Sequence, residues 1–421
     1  MKPKAVLAYC REKGIKAFDL RFVDVLGAWR HITFPVSALT EACFDEGFGH
    51  DIVLDPTIDS TPSHAILVPQ GVAHYLDPFP HQPTLVLLAS VQDALMREDS
   101  PLDSRHVAVQ AMQYLESSTI GDGLAVRARC QFRIDRDTPS DSRAELIRNT
   151  HLACGPTDLD FKMRCEVADI ASEAGLHIER HFSGPESSSE MVLKPSSLVE
   201  CCDDILMLRY IIGQNAWKKH ELVSSANLGI PSQWSISRQG ESILVGSSYR
   251  GLSETGLHAI GGILKHADAL CAMAFANDPN ACRSPWFKLC SANVAESICR
   301  AIISSNNPRD RAIEFRGAPA NCNPYLVYSA VLMAMIDGIQ NKMSPGSALE
   351  KKIETAEDRI KVSIGHIAEG DRTTGRRQLM ESLVSDCDFL CRGEVFSSDL
   401  IDSLCRQLTS KRGQEPNWQN G

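Results

Sequence analysis

The sequence predicts an α+β fold, with a small β-rich N-terminal domain over residues 1–100 and a larger mixed domain over 101–421. Three observations predict it. Short apolar runs broken by turn residues fill most of the first hundred positions. Sustained helical periodicity first takes over at 104–118. Beyond that point helical windows and short β-like runs are interspersed. No repeat of roughly 20–50 residues and no phosphate loop of the P-loop or Rossmann type interrupts them.

Taken in order, residues 4–14 read as a short helix ending at Gly14. Ala17, Phe18, Leu20, Phe22 and Val23 form an extended apolar run. Leu26-Gly27 supply a turn, and Trp29, Ile32 and Phe34 follow before Pro35, which makes a strand–turn–strand unit. Pro, Asp and Thr punctuate 55–63, and β-like runs follow at 65–69 and 84–90. Further helices are predicted at 159–174, 196–216, 253–275, 324–341 and 346–369, with strands at 124–134, 189–193, 232–237, 243–247 and 311–316. Asn323-Pro324-Tyr325 start a helix, with Asn as the cap and Pro in the first turn. The C-terminal part is helical and charged and ends in a polar stretch that frays, KRGQEPNWQNG.

Composition narrows the function classes. The chain has 421 residues, is 43% hydrophobic and 23% charged, and carries a net charge of −10. That much apolar surface offsets chain entropy and excludes disorder as the main state. The acidic balance argues against a general nucleic-acid binder. No apolar run approaches the roughly 20 residues of a membrane span, and MKPKAVLAYCREKG has no signal-peptide core. The 15 cysteines are scattered, with no CxxC pair. They read as small core residues of a reduced, cytoplasmic protein, and not as a disulfide or zinc framework.

Five segments carry a resemblance. They are IKAFDLRFVDVLGAWRHITFPVSAL, LDPFPHQPTLVLLASV, LSETGLHAIGGILKHADALCAMA, RAIEFRGAPANCNPYLVYSAVLMAMIDGIQNK and ESLVSDCDFLCRGEVFSSDLIDSL. In this order, over nearly the whole chain, they resemble the glutamine synthetase family, bacterial long-chain type. The resemblance implies an N-terminal β-grasp domain on a catalytic α/β domain. It also implies two stacked rings whose active sites are shared between neighbouring subunits. The implied reaction phosphorylates the γ-carboxylate of glutamate with ATP, and ammonia then displaces the phosphate. The implied cofactors are ATP and Mg²⁺ or Mn²⁺, with two divalent ions held by five glutamates and one histidine. Oxygen ligands of that kind suit hard cations that neutralise phosphoryl charge.

Residue by residue, that ligand set is largely gone. The Glu-x-Glu strand falls on VRARCQFRID, where the two positions are Arg129 and Gln131. The next two glutamate positions are Phe182 and Glu190. The metal-binding histidine position is Gln233, and the nucleotide-contacting histidine is Ser235. The nucleotide-side serine is retained as Ser237, and the last ligand as Glu314. Two of six metal positions, Glu190 and Glu314, remain. On the substrate side Arg300 and Arg316 are retained as the catalytic candidates, while Ala295 replaces another arginine. The substrate loop is shortened to NDPNACRSP, with Arg283 where a gating glutamate belongs. The ammonium-site loop has become GHDIVL, with Asp51 as a replacement for its aspartate.

Each retained residue also has a plain reading. Glu190, Glu314, Arg300 and Arg316 could form structural ion pairs, and His181 and His266 could be core histidines. The segments kept in good order (GGILKHA, NPYL, DGI) are apolar or turn-forming, and the polar segments that serve metal, ATP and glutamate are lost. The expectation is therefore a glutamine synthetase-like protein, catalytically impaired or inactive, with a structural or regulatory role. It would form a ring-shaped homo-oligomer or a mixed oligomer with an active relative. One alternative is an active ATP-dependent carboxylate–amine ligase of altered substrate, with Arg129 in place of a metal. Another is a sensor of a nucleotide or amino acid that does not turn over. ATP and Mg²⁺ or Mn²⁺ serve only if the protein is active. Neither nucleic acid nor membrane is expected as a partner.

Overall fold

The computed structural model describes residues 2–56, 62–135, 151–225, 228–248, 251–277, 287–290, 297–303, 311–346 and 372–409. After helix α1 (Pro3–Glu12), the apolar runs form a five-stranded sheet: β1 (Ala17–Val23), β2 (Trp29–Pro35), β3 (Phe48–Ile52), β4 (Ser63–Leu76) and β5 (Thr84–Asp93). The strand order is β2-β1-β5-β4-β3, with β1 parallel to β5 and the other pairs antiparallel. A short helix, α2 (Cys43–Glu46), precedes β3. Gly27 turns the β1–β2 hairpin at φ +80°, a conformation that favours glycine.

Helix α3 (Ser104–Ser117) leads into β6 (Gly123–Asp135), which lies within the second sheet. The other strands are β7 (Ile178–Ser183), β8 (Ser189–Leu193), β9 (Leu222–Ser224), β10 (Ser232–Arg238), β11 (Glu241–Ser242), β12 (Phe287–Cys290), β13 (Ser297–Ile303) and β14 (Arg311–Phe315). Their order is β12-β13-β14-β10-β6-β8-β7, with β11 beside β10 and β9 beside β6. Alternation along β6 decides its two faces. Leu124, Val126, Ala128, Cys130, Phe132 and Ile134 are buried in the core, and Arg127, Arg129, Gln131 and Arg133 take the opposite face. The core side is covered by α4 (Phe161–Glu173), α5 (Leu198–Lys218), α6 (Glu254–Lys265), α7 (Ala267–Ala274) and α8 (Pro324–Gln340), joined by α9 (Arg372–Ser385), α10 (Asp388–Cys391) and α11 (Ser398–Thr409).

The retained apolar motifs hold these elements together. Gly262 on α6 and Gly338 on α8 let two helix backbones touch, since a methyl at either would overlap the other helix's main chain. Asn323 caps α8 by accepting from the Tyr325 and Leu326 N–H groups. Its amide also donates to the Val25 carbonyl at 3.1 Å and to Ser104 Oγ at 2.8 Å, tying α8 to the β1–β2 hairpin. The helix predicted over 253–275 is two helices, broken at His266. That ring leaves the helical path to meet Asp337 at 2.8 Å and Asp386 at 2.9 Å, and it stacks on Phe389.

Other boundaries moved as well. The strand predicted at 243–247 is not one. Pairing with β10 stops at Ser242, because the chain then turns back to bridge Val245 with Leu252. The run at 65–69 continues to Leu76. No strand is predicted at β3 or β7, where His, Asp, Glu and Arg interrupt the apolar pattern, or at β9, which is only three residues long. The predicted helix at 346–369, residues 278–286 of the shortened loop with Arg283, Ala295 and the polar tail fall outside the described residues. Every described cysteine is free. Burial pushes the Cys130 thiol up to about 12 and the Cys322 thiol up to about 11, so both stay protonated core residues.

Asp204 on α5 gives a pH prediction. Burial, with the like charges of Asp203 and Glu200, pushes its carboxyl up to about 7. A folded-state value above the unfolded value of about 3.9 means that stability falls as pH rises between the two. Asp204→Asn should therefore stabilise the chain at pH 8 by about 1–3 kcal/mol and do little at pH 4. Urea melts at the two pH values check this.

Candidate functional site

The half-buried face of β6 that turns away from the core, with its neighbours, forms the site, and strand register sets two rows across it. In one row Phe182, Glu190 and Gln131 stand opposite one another on β7, β8 and β6. In the other, Arg127, Gln233, Glu314 and Arg300 follow on β6, β10, β14 and β13. Arg129 lies between the rows on β6. The two retained carboxylates are each only 2% exposed, a costly state for a charge unless it is paired.

The pairing is supplied by Arg129. Its Nε lies 3.2 Å from Glu190 Oε2, and its Nη2 lies 3.7 Å from Glu314 Oε1. Gln131 completes the arrangement. Its Nε2 donates to the other Glu190 oxygen at 3.1 Å, and its Oε1 accepts the Gly229 N–H at 2.9 Å. Arg316, following β14, reaches Glu314 Oε2 at 3.8 Å. Arg127 is held by Glu179 at 2.9 Å and donates to Gln233 Oε1 at 3.1 Å. The structure thus brings Glu190, Glu314 and Arg316 together around Arg129. Arg300 is placed opposite Glu314 in backbone register.

Ser237 sits at the end of β10, opposite Gly123, where any β-carbon would collide with the serine hydroxyl. Ser235 bonds Ser242 at 3.4 Å. Asp51 lies on edge strand β3, where its carboxylate meets His64 Nδ1 at 2.9 Å. His181 lies against Cys165 and Phe161. Burial, then the charge of Arg164, holds its imidazole below its usual range, so it stays neutral. The contribution of Arg127 was missed in the sequence. The signal was available, because positions 127, 129, 131 and 133 alternate with apolar residues and must share one face.

These residues do not fit a pair of divalent cations. Arg129 and Gln131 offer N–H groups where ligand oxygens are needed, and Phe182 offers neither. Gln131 Oε1 is already used by Gly229. Among the described residues, no group of three or more His, Cys, Asp or Glu side chains is placed to hold a metal ion. No described helix is long and apolar enough to cross a membrane.

A five-stranded N-terminal sheet beside a larger nine-stranded mixed sheet, with buried carboxylates and arginines gathered on one face, defines an α+β protein built around a charged cleft. A sequence model of the family described as glutamine synthetase, catalytic domain, matches residues 102–405. Glutamine synthetase of Aquifex aeolicus is 28% identical over 453 residues, covering 98% of this chain and 95% of that protein. That of Methylococcus capsulatus is 29% identical over 450 residues, covering 96% and 94%. In fold, the chain is similar to Plasmodium falciparum glutamine synthetase, with TM-score 0.79, 16% identity and coverage of 97% and 95%. It is also similar to a structure titled a GmaS/ADP complex, with TM-score 0.79, 18% identity and coverage of 96% and 93%. The chain belongs to the glutamine synthetase family.

Proposed function

We propose that this member of the glutamine synthetase family is catalytically impaired or inactive and serves a structural or regulatory role in the cytoplasm. It would do so as a ring-shaped homo-oligomer or within a mixed ring with an active relative. The observation that carries this is the Arg129 guanidinium between Glu190 and Glu314. Acyl-phosphate chemistry needs cations that bridge the phosphates and neutralise the developing charge. A guanidinium within ion-pair distance of two buried carboxylates is already neutralised by them and, having no acceptor, cannot bridge phosphate oxygens as a metal does. Arg300 and Arg316 would bind an anion at the substrate end, and Ser237 would face the nucleotide end, without completing the reaction.

ADP release tests this. Purified protein is given ATP, Mg²⁺ or Mn²⁺, glutamate, and ammonia or hydroxylamine. The expected rate is at least roughly a thousandfold below that of an active relative, the size of loss that follows removal of key electrostatic groups. Turnover close to the relative's would overturn the reading. A chain that sediments only as a 46.2 kDa monomer, alone and with an active relative, would remove the ring role.

A second reading is an active ligase for a different carboxylate or amine. It is favoured by the partial exposure of Arg129, whose side chain is 26% accessible and could reach a phosphoryl group. ADP release with alternative amines or carboxylates in Mg²⁺ or Mn²⁺, at a rate near that of an active relative with its own substrates, would select it. Thermal shifts with ATP, AMP, glutamate and glutamine report on a sensor role.

A further inference from the structure

Glu190 and Glu314 come from strands on opposite sides of β6, and both are almost wholly buried. Two such carboxylates repel each other and resist leaving water unless a cation sits between them. The cation here is covalent. Arg129 meets one oxygen of each, Gln131 donates to the remaining Glu190 oxygen, and Arg316 stands by the remaining Glu314 oxygen. Among the described residues, two glutamates stand against two arginines here. A divalent ion entering this set would leave a surplus of two positive charges in a partly buried space.

We infer that Arg129 is the resident cation of this cleft, that it has displaced divalent ions from it, and that its loss would turn the cleft into a divalent-cation site of carboxylate chemistry. The geometry supports both halves. The guanidinium is planar, permanently charged and has no acceptor, so it excludes a metal sterically and electrostatically. Glutamate at position 129 would instead add a third carboxylate between two that already converge there, a donor set suited to a hard cation. The wild-type chain therefore needs no divalent ion to hold the face of β6 together, in contrast to what the implied family site requires.

Mn²⁺ is the probe, because its bound form is counted by electron paramagnetic resonance. The wild-type chain is expected to bind no Mn²⁺ at this cleft and to melt at the same temperature in EDTA and in Mn²⁺. Arg129→Glu is expected to melt several degrees lower in EDTA, to recover most of that loss in Mn²⁺, and to bind one ion. Adding Glu190→Gln to Arg129→Glu should abolish the binding. If Arg129→Glu does not fold, Arg129→Gln, which keeps the volume closer and removes only the charge, should show the same rescue at higher Mn²⁺.

Stoichiometric Mn²⁺ on the wild-type chain that is lost with Glu190→Gln overturns the inference, and so does the absence of any Mn²⁺ effect on both variants. The inference rests on the impaired-site reading, but the two fail separately. Turnover with no Mn²⁺ bound at the cleft would end that reading and leave Arg129 as the cation, whereas Mn²⁺ bound at the cleft without turnover would end this inference alone.

Discussion

Gly338→Ala is expected to destabilise the chain by more than about 3 kcal/mol, at the upper end of what overpacking a core costs. The nearest atoms to a methyl there are the His258 carbonyl oxygen and the main chain of Gly262. These are backbone atoms of α6, so no side-chain rotation can make room. Relief would require separating α6 from α8, and both are buried in the same core. Gly262→Ala should cost a similar amount, because its methyl would meet the Ala334 carbonyl and Gly338. The double variant should cost less than the sum, since one separation of the helices relieves both. Gly49→Ala is the control. It lies on edge strand β3, with nothing nearer than His64 Nε2 at 3.4 Å, and should change stability by less than about 1 kcal/mol. Urea midpoints with an unchanged slope measure all four.

That contact explains which parts of the sequence could be read. GGILKHA, NPYL and DGI were recognisable as retained motifs, and the structure gives each a packing duty. Gly262 and Gly338 bring helices together, Asn323 caps α8 and holds the hairpin, and His266 ends α6 against Asp337 and Asp386. Strand positions in β6 and β10 were legible because period-2 alternation is a local property, and those in β8 and β14 as short apolar runs. Local pattern also placed Arg129, Gln131, Glu190 and Glu314 on strands.

What local pattern could not supply was the partner of each charge. The ion pair between Arg129 and two carboxylates depends on β6 lying between β8 and β10, and on β10 lying beside β14. That is tertiary information. The same holds for the break at His266, since Asp337 and Asp386 come from elements remote along the chain. β7 escaped notice because Glu179 and Arg180 interrupt its apolar pattern, and both make ion pairs across the surface.

Arg21→Met is expected to cost about 3–5 kcal/mol, the loss that follows when one partner of a buried ion pair is removed. Arg21 is 5% exposed. Its Nε donates to Asp19 at 2.7 Å, one terminal nitrogen to the Tyr75 hydroxyl at 2.6 Å and the other to Asp77 at 2.5 Å. The guanidinium also lies 4.9 Å from the Trp29 ring and 4.4 Å from that of Tyr210, which is on α5. Tyr210 donates to Asp77 at 2.9 Å. The N-terminal sheet is thus joined to the larger sheet's helices through one charge, and losing it takes the shared cation from two buried carboxylates, leaving Asp19 with the His31 and Thr33 hydrogen bonds and Asp77 with that of Tyr210. Arg21→Lys should recover only part of the loss, because an ammonium cannot serve three acceptors in one plane. Adding Asp19→Asn and Asp77→Asn to Arg21→Met should recover more, since the cost lies in the stranded charges and not in the missing contacts. The pH profile separates this from a simple packing defect. Burial pushes the Asp19 carboxyl up, but the His31 hydrogen bond and the Arg21 charge outweigh it and hold the group well below its usual range. A depressed folded-state value adds stability above the unfolded value of about 3.9, and that stability is lost as pH falls through the folded value. Wild-type chain should therefore lose stability in acid more steeply than Arg21→Met, and the gap between the two should narrow progressively as pH falls below the unfolded value of about 3.9.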